Sequence, residues 1–395
     1  MGNNTNKVLS FTSSLWIIIL LTAINAPSWA ASRAQEALLK PATSAIVDQR
    51  LKPKVVIINM FSSEGDVWQN VTAFQLVQNI SVPGFSPLYP NASCTADGSI
   101  CQLMTGEAEI NAATTITSLV QSRTIFDLAK TYFLIAGIAG INPKVATIGS
   151  VTFARYAVQV ALQYEFDARE RPIGSPTGYI PQGARKPDQF PTTIYGTEVF
   201  ELNASLRKLA VQFARRATLN DTAAAQKARA RYASPSQIYK PATLPPAVVE
   251  CDTATSDNFF TGRILGETFE QTTRLFTNRS GAYCTTQQED NATLGALLRG
   301  HLAGLVDFSR VIHMRTASDF DRPHPGQSAA ANLFGDTPGF EPALQNIGLA
   351  GVQVIQGIID EWNETFARGV KPKNYIGDIC GSLGGVPDFG NGCPL

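Results

Sequence analysis

Two acidic segments late in the chain have the residue types and setting to work on one bond: Gln287-Gln288-Glu289-Asp290-Asn291-Ala292, which opens a helix, and Arg315-Thr316-Ala317-Ser318-Asp319, which ends a strand. Breaking a nucleoside's N-glycosidic bond needs one carboxyl to hold the ribose hydroxyls and another to protonate the departing base. Just past a buried strand, Asp319 would be partly desolvated. That raises a carboxyl pKa and lets it carry a proton to purine N7 at mildly acidic or neutral pH. Glu289 would accept hydrogen bonds from the ribose diol, bonds that strengthen as the sugar becomes oxocarbenium-like. Glu64, after an earlier strand, would orient and deprotonate the attacking water. Each acid also has a plain structural reading: Asp319 as a cap or turn residue beside Asp321 and Pro323, Glu289 as a carboxylate favoured by the helix dipole, Glu64 as a solvated loop acid.

Around these acids, Phe259 and Phe260 could stack on a purine or simply pack in the core. Gly137-x-x-Gly140 would let backbone approach a ligand, but it lacks the full dinucleotide fingerprint and does not indicate NAD. His301, His313 and His324 form no triad with a nucleophile and are assigned structural roles. No His/Cys spacing suggests zinc, so no metal and no cofactor are expected.

The elements that must position these residues are legible as patterns. Val55-Val56-Ile57-Ile58-Asn59-Met60 and Tyr132-Phe133-Leu134-Ile135-Ala136 are too apolar and β-branched for anything but buried strands. The first runs into Phe61-Ser62-Ser63-Glu64, the second into the Gly137–Gly140 loop. Residues 112–130 and 197–232 read as helical, 145–170 as strands, 248–252 and 311–315 as further strands. Leu294, Leu298, Leu302 and Leu305 recur at helical spacing, marking a core-facing helix entered just past Glu289, and 349–366 is the long final helix. Residues 81–107 and 171–191 read as irregular loop insertions, the second carrying Pro172, Pro176, Pro181, Pro187 and Pro191. Strands alternating with helices predict an α/β fold, a central mixed sheet covered on both sides, in one domain over 53–395. Ligands of such sheets gather where strands end, and Glu64, Gly137, Phe259 and Asp319 all fall there.

Composition agrees with a small neutral ligand. Of 395 residues, 44% are hydrophobic and 16% charged, and Lys plus Arg balances Asp plus Glu at 32 each, so no overall field draws the chain to nucleic acid or anionic lipid. Residues 1–30 read as a secretory signal: Lys7, an apolar stretch from Leu15 to Ala23, and a small-residue cleavage site at Ser28-Trp29-Ala30. A mature arm over 31–52 follows. The best later apolar run, Tyr132 to Ile141, is about half the length of a spanning helix, so no stable membrane span is expected after signal removal. The order of the six cysteines favours three local bridges, Cys94 with Cys101, Cys251 with Cys284 and Cys380 with Cys393, among the pairings open to six thiols. Sequons at Asn70, Asn79, Asn91, Asn203, Asn220, Asn278, Asn291 and Asn363 also suit export to the medium, the wall or a vacuole. A glycan on Asn291 would block the pocket beside Glu289, so that side chain is expected to be inaccessible.

Four long segments carry a resemblance through nearly the whole mature chain: Pro176-Thr177-Gly178-Tyr179-Ile180-Pro181-Gln182-Gly183, Cys251-Asp252-Thr253-Ala254-Thr255-Ser256-Asp257-Asn258, Tyr283-Cys284-Thr285-Thr286-Gln287-Gln288-Glu289-Asp290-Asn291, and Arg315-Thr316-Ala317-Ser318-Asp319-Phe320-Asp321. Through them the chain resembles the fungal and bacterial purine nucleoside permeases, which in turn look like distant members of the nucleoside phosphorylase and nucleosidase superfamily. The resemblance implies a nucleoside phosphorylase-like fold. It matches Asp319 to the aspartate that protonates the purine, in a Ser318-Asp319 setting, and Glu289, after Gln288, to the glutamate that binds the ribose. Phe259 matches the base-stacking aromatic of Asp257-Asn258-Phe259, and Gly137 to Gly140, with Ile138 between them, the backbone beneath the ribose. The superfamily's hydrolases, similar to methylthioadenosine nucleosidase, carry a glutamate after the first strand, where phosphorylases place a glycine and an arginine. Ser62-Ser63-Glu64 therefore favours hydrolysis of purine ribonucleosides to base and ribose. Phosphorolysis, and a binding or transport component as the family name implies, are the alternatives, and a homo-oligomer is open.

Overall fold

A computed structural model describes residues 49–69, 71–389 and 393. The expected signal, the arm up to residue 48 and the sequon at Asn70 lie outside the described residues. The strands are β1 Val55–Asn59, β2 Leu76–Ser81, β3 Asn91–Thr95, β4 Ile100–Met104, β5 Tyr132–Ile141, β6 Val151–Phe153, β7 Tyr156–Gln159, β8 Gln163–Glu165, β9 Tyr179–Pro181, β10 Val199–Glu201, β11 Val248–Glu250, β12 Asp252–Thr255, β13 Tyr283–Gln287, β14 Val311–Phe320 and β15 Gly377–Asp378. The helices are α1 Ser62–Asp66, α2 Glu109–Gln121, α3 Ala204–Ala214, α4 Ala223–Ala230, α5 Arg263–Phe276, α6 Asp290–Leu302, α7 Ala329–Leu333 and α8 Phe340–Asp360.

Alternation along the central strands builds two cores, one on each face of the sheet. Val56, Ile58, Phe133 and Ile135 point to one side and meet Ile116 and Leu119 of α2 and Leu294 and Leu297 of α6. Val55, Ile57, Tyr132 and Leu134 point to the other and meet Leu206 and Ala210 of α3 and Ile347 and Val354 of α8. Strands buried on both faces have no polar side to show, which is why β1 and β5 read as unbroken apolar runs.

The sheet is mixed. β1 lies parallel between β4 and β5, β5 is parallel to β14, and β12 is parallel to β7 and β13, whereas β13 meets β5 antiparallel. On the flank of β5 away from β14, pairing with β1 stops at Ile58 opposite Ile135 and pairing with β13 begins only at Gly140. Between them the sheet parts, leaving the backbone of Ile138 without a strand neighbour on that flank.

Several sequence expectations change. The segment 81–107 is no irregular loop: β3 and β4 fall within it, β4 pairs in parallel with β1, and Cys94–Cys101 links the two antiparallel strands. For β4 the parallel partner β1 lies far away in sequence, and such a pairing leaves little local signal. Within 171–191, β9 pairs with β8, and the rest is turns. Gly137 to Gly140 are part of β5 rather than a loop, and β14 continues to Phe320, past the expected end at Arg315. Glu64 sits in the one-turn α1 rather than in a loop, and 1% of its surface is exposed. β10 occupies part of the stretch expected to be helical, and the other expected helices begin or end several residues away. Leu302 is 58% exposed at the end of α6, so the core-facing stripe is carried by Leu294 and Leu298.

The other two bridges join Cys251 to Cys284 and Cys380 to Cys393. Asn291 is buried, its Nδ2 donating to the Thr197 carbonyl at 2.7 Å and its Oδ1 accepting from Thr255 Oγ1 at 2.7 Å. Asn203 is buried too, as the cap of α3. None of the helices among the described residues is long and apolar enough to cross a membrane.

Candidate functional site

The parting in the sheet is the floor of a cleft of ≈ 290 Å³. Ile138 takes side chains in place of the missing strand: its N–H donates to Glu64 Oε1 at 2.7 Å, and its carbonyl accepts from Arg315 Nη1 at 2.9 Å. The other oxygen of Glu64 accepts the Met60 N–H at 2.7 Å, so the one-turn α1 folds the carboxyl back onto the end of β1. Burial pushes Glu64 up to about 7, against the pull of Arg315 and of those two N–H groups.

Glu289 arrives from the opposite side, as the residue that caps α6. Its Oε1 accepts the Ala108 N–H at 3.1 Å and its Oε2 accepts Arg315 Nη2 at 3.0 Å. Burial raises its pKa, with Arg315 opposing. Ala108 stands at φ 72°, ψ 164°, a conformation essentially reserved for glycine and costing on the order of 1–3 kcal/mol. That backbone turns the start of α2 toward two acids: the next N–H, of Glu109, donates to Asp257 Oδ1 at 2.8 Å.

Asp319 lies at a bulge of β14, where the register against β5 shifts between Ala317 and Asp319. The bulge re-aims the side chain into the cleft. Burial raises its pKa, while the bond from Ser318 works the other way and Asp321 adds to the rise. Ser318 Oγ lies 2.7 Å from Asp319 Oδ1 and 3.2 Å from the Ala139 carbonyl.

The cleft thus brings together Glu64, Ile138, Asn258, Phe259, Phe260, Gln288, Glu289, Ser318 and Asp319. The two phenylalanines differ: Phe259 is 61% exposed at the rim, whereas Phe260 is buried and stacks edge-on against Phe269 at 4.6 Å. Gln288 Nε2 donates to the Asp257 carbonyl at 2.6 Å, tying the rim to the loop that carries Asn258 and Phe259. Gly137 does not line the cleft but underlies it. A Cβ there would come within 2.5 Å of Arg315 Nη1 and 2.8 Å of Glu64 Oε1. Gly137→Ala is therefore expected to cost about 1–3 kcal/mol of stability through overpacking, which thermal unfolding checks.

Sequence reasoning gave Arg315 no role. It is buried at the centre of the site and bonds Asp290 Oδ1 at 2.6 Å and Asp290 Oδ2 at 3.3 Å as well as Glu289. Asp290 in turn bonds buried His313. Burial alone would raise Asp290, but Arg315 and His313 outweigh it and hold the carboxyl down at about 2. The available signal was a lone cation inside an apolar strand, which must have buried acidic partners. Met60, Phe61, Glu107 and Phe340 also line the cleft without having been foreseen.

A mixed sheet parted around an acid-lined cleft defines this as an α/β protein whose one large sheet carries the site. The chain belongs to the purine nucleoside permease family, whose model matches residues 52–371. It is 46% identical over 346 residues to a purine nucleoside permease of Candida albicans, covering 86% of this chain and 83% of that one. It is 39% identical over 334 residues to a probable purine nucleoside permease of Schizosaccharomyces pombe, covering 82% and 94%. Among solved structures it is similar to the 5'-methylthioadenosine/S-adenosylhomocysteine nucleosidase of Neisseria meningitidis, at 14% identity and a TM-score of 0.45 over 79% of this chain and 99% of that one. It is also similar to the futalosine hydrolase of Helicobacter pylori, at 16% and 0.44 over 78% and 98%. Those scores are too low to carry chemistry across.

Proposed function

We propose that the protein hydrolyses purine ribonucleosides to free base and ribose. The observation that carries this reading is the meeting of Glu64, Glu289 and Asp319 in one cleft where Arg315, the only cation among the described lining residues, is already bonded to Glu289, Asp290 and the Ile138 carbonyl.

In this reading Asp319 is the acid. Ser318 Oγ has an acceptor on each side, the Ala139 carbonyl and Asp319 Oδ1, but one proton to give. The bond to Asp319 is the shorter, so Ser318 gives its proton to Oδ1 and leaves Oδ2 to carry the acid's own proton toward the base. As the C1'–N9 bond breaks, its electron pair leaves with the base and Asp319 delivers its proton to N7. Glu289 holds the ribose diol, oriented by Ala108 and Arg315. Glu64, poised at about 7, takes a proton from the water whose oxygen bonds to C1'. The sum is nucleoside plus water giving base plus ribose, and no cofactor enters.

Phosphorolysis fits less well. A phosphate would meet Glu64, Glu107, Glu289 and Asp319 and find no uncommitted cation among the described lining residues. The relatives' names favour a second reading, a nucleoside-binding component in uptake. Export is proposed alongside, supported by three disulfides. Incubating the purified protein with adenosine, guanosine and inosine, with and without phosphate, and separating the products tests all three. Free ribose at a phosphate-independent rate is expected. Ribose 1-phosphate, or nucleoside bound but unchanged, would select the others.

A further inference from the structure

Asp319 faces two cavities. Besides the cleft above, it and Ser318 line a second cavity of ≈ 390 Å³, and among the described residues these two are the only ones the cavities share. The second cavity lies between α4 and the segment around α7. Its inner wall is apolar: Ile148 and Phe320, with the Tyr232 ring centroid 4.0 Å from that of Phe320 and the two rings tilted by 39°. The Tyr232 hydroxyl donates to the Arg322 carbonyl at 2.7 Å, which fixes the ring as a wall rather than a gate. Its outer part is polar and open, with Lys227, Arg231 and Gln327.

Purine geometry gives this arrangement a use. N7 and the C6 substituent lie on the same edge of the base, so a carboxyl bonded to N7 also stands beside whatever C6 carries. We propose that the second cavity is a subsite for the C6 substituent, so that the site accepts adenosines bearing a flat or apolar group on N6, the group passing Asp319 to lie against Tyr232 and Phe320. This rests on the proposed nucleoside reading, with Asp319 at N7. A cleft that ended at Asp319 would reject such substrates by steric overlap. The apolar wall instead adds contact, which a hydrophobic pocket can turn into roughly 10-fold or greater discrimination.

The probes are adenosine and N6-benzyladenosine, tested with the full chain and with Ala224→Trp and Ala331→Trp. Both alanines are exposed, line only the second cavity, and sit on opposite walls of it. Wild type is expected to cleave N6-benzyladenosine with kcat/KM within about 10-fold of adenosine. Each tryptophan variant is expected to keep adenosine cleavage and lose about 30-fold or more on the benzyl compound. If wild type cleaves adenosine but handles the benzyl compound about 100-fold worse, or if neither tryptophan discriminates, the subsite is wrong while the nucleosidase reading stands. If neither nucleoside is cleaved, catalysis fails instead, and dissociation constants for the same pairs decide the subsite: benzyl affinity reduced in both variants supports it, unchanged affinity overturns it.

Discussion

Asp319→Asn is expected to lower kcat for adenosine by about 10²- to 10⁴-fold while nucleoside affinity changes little, because the amide keeps the shape and polarity of the carboxyl but has no proton to give. A structural defect would look different. Asp319 accepts only from Ser318, at the edge of a cleft, so the variant should unfold within a few degrees of wild type. A leaving group that needs no proton provides the sharper control: a nitrophenyl riboside should be hydrolysed by the variant at nearly the wild-type rate, since acid catalysis matters least for the best leaving groups. Equal losses on both substrates would assign Asp319 to folding or binding and remove the acid from the mechanism.

Glu64→Gln is expected to cost about 10²- to 10³-fold in kcat, and the test extends to pH. Glu64 is held up at about 7 by burial, so as a base it becomes competent only as pH rises through that value. Wild-type kcat should therefore climb from pH 5 to 8 with a midpoint near 7, a limb absent from the variant. Linkage gives an independent readout. Between the ordinary value of 4.5 and about 7 the folded protein holds a proton that the unfolded chain has released, so wild-type stability falls as pH rises across that window. Relative to wild type, Glu64→Gln should gain on the order of 3 kcal/mol across it and nothing further above. Glu109, also raised to about 7 by burial and by Asp257, titrates in both proteins and cancels in the comparison. A stability difference that stays flat with pH would mean Glu64 is ionised throughout, and the base would have to be sought elsewhere.

How legible the site was depended on whether a residue's setting was local. Glu289 stood out because α6 starts immediately after it, and Leu294 and Leu298 mark that helix by spacing alone. β1 and β5 stood out because strands buried on both faces have no polar side. β4 did not, since its place in the sheet comes from parallel pairing with β1, far away in sequence. The same limit hid Arg315. Its neighbours in sequence show an arginine in a strand, whereas its meaning comes from Glu289, Asp290 and the Ile138 carbonyl, which only the folded sheet brings to it. The strained Ala108, whose N–H orients Glu289 from 181 residues away in sequence, had no signature at all, because alanine announces no unusual backbone.

The break between β1 and β13 has a consequence for recognition. A binding seat assembled from loops must be organised by its guest, and that ordering subtracts from affinity. Here the seat is a window in a rigid lattice whose frame already satisfies itself, with Glu64 and Arg315 bonding Ile138 as a strand would. On the proposed reading a nucleoside's sugar would meet a seat that needs little ordering, so selectivity would fall to the window's outline and the rim above it.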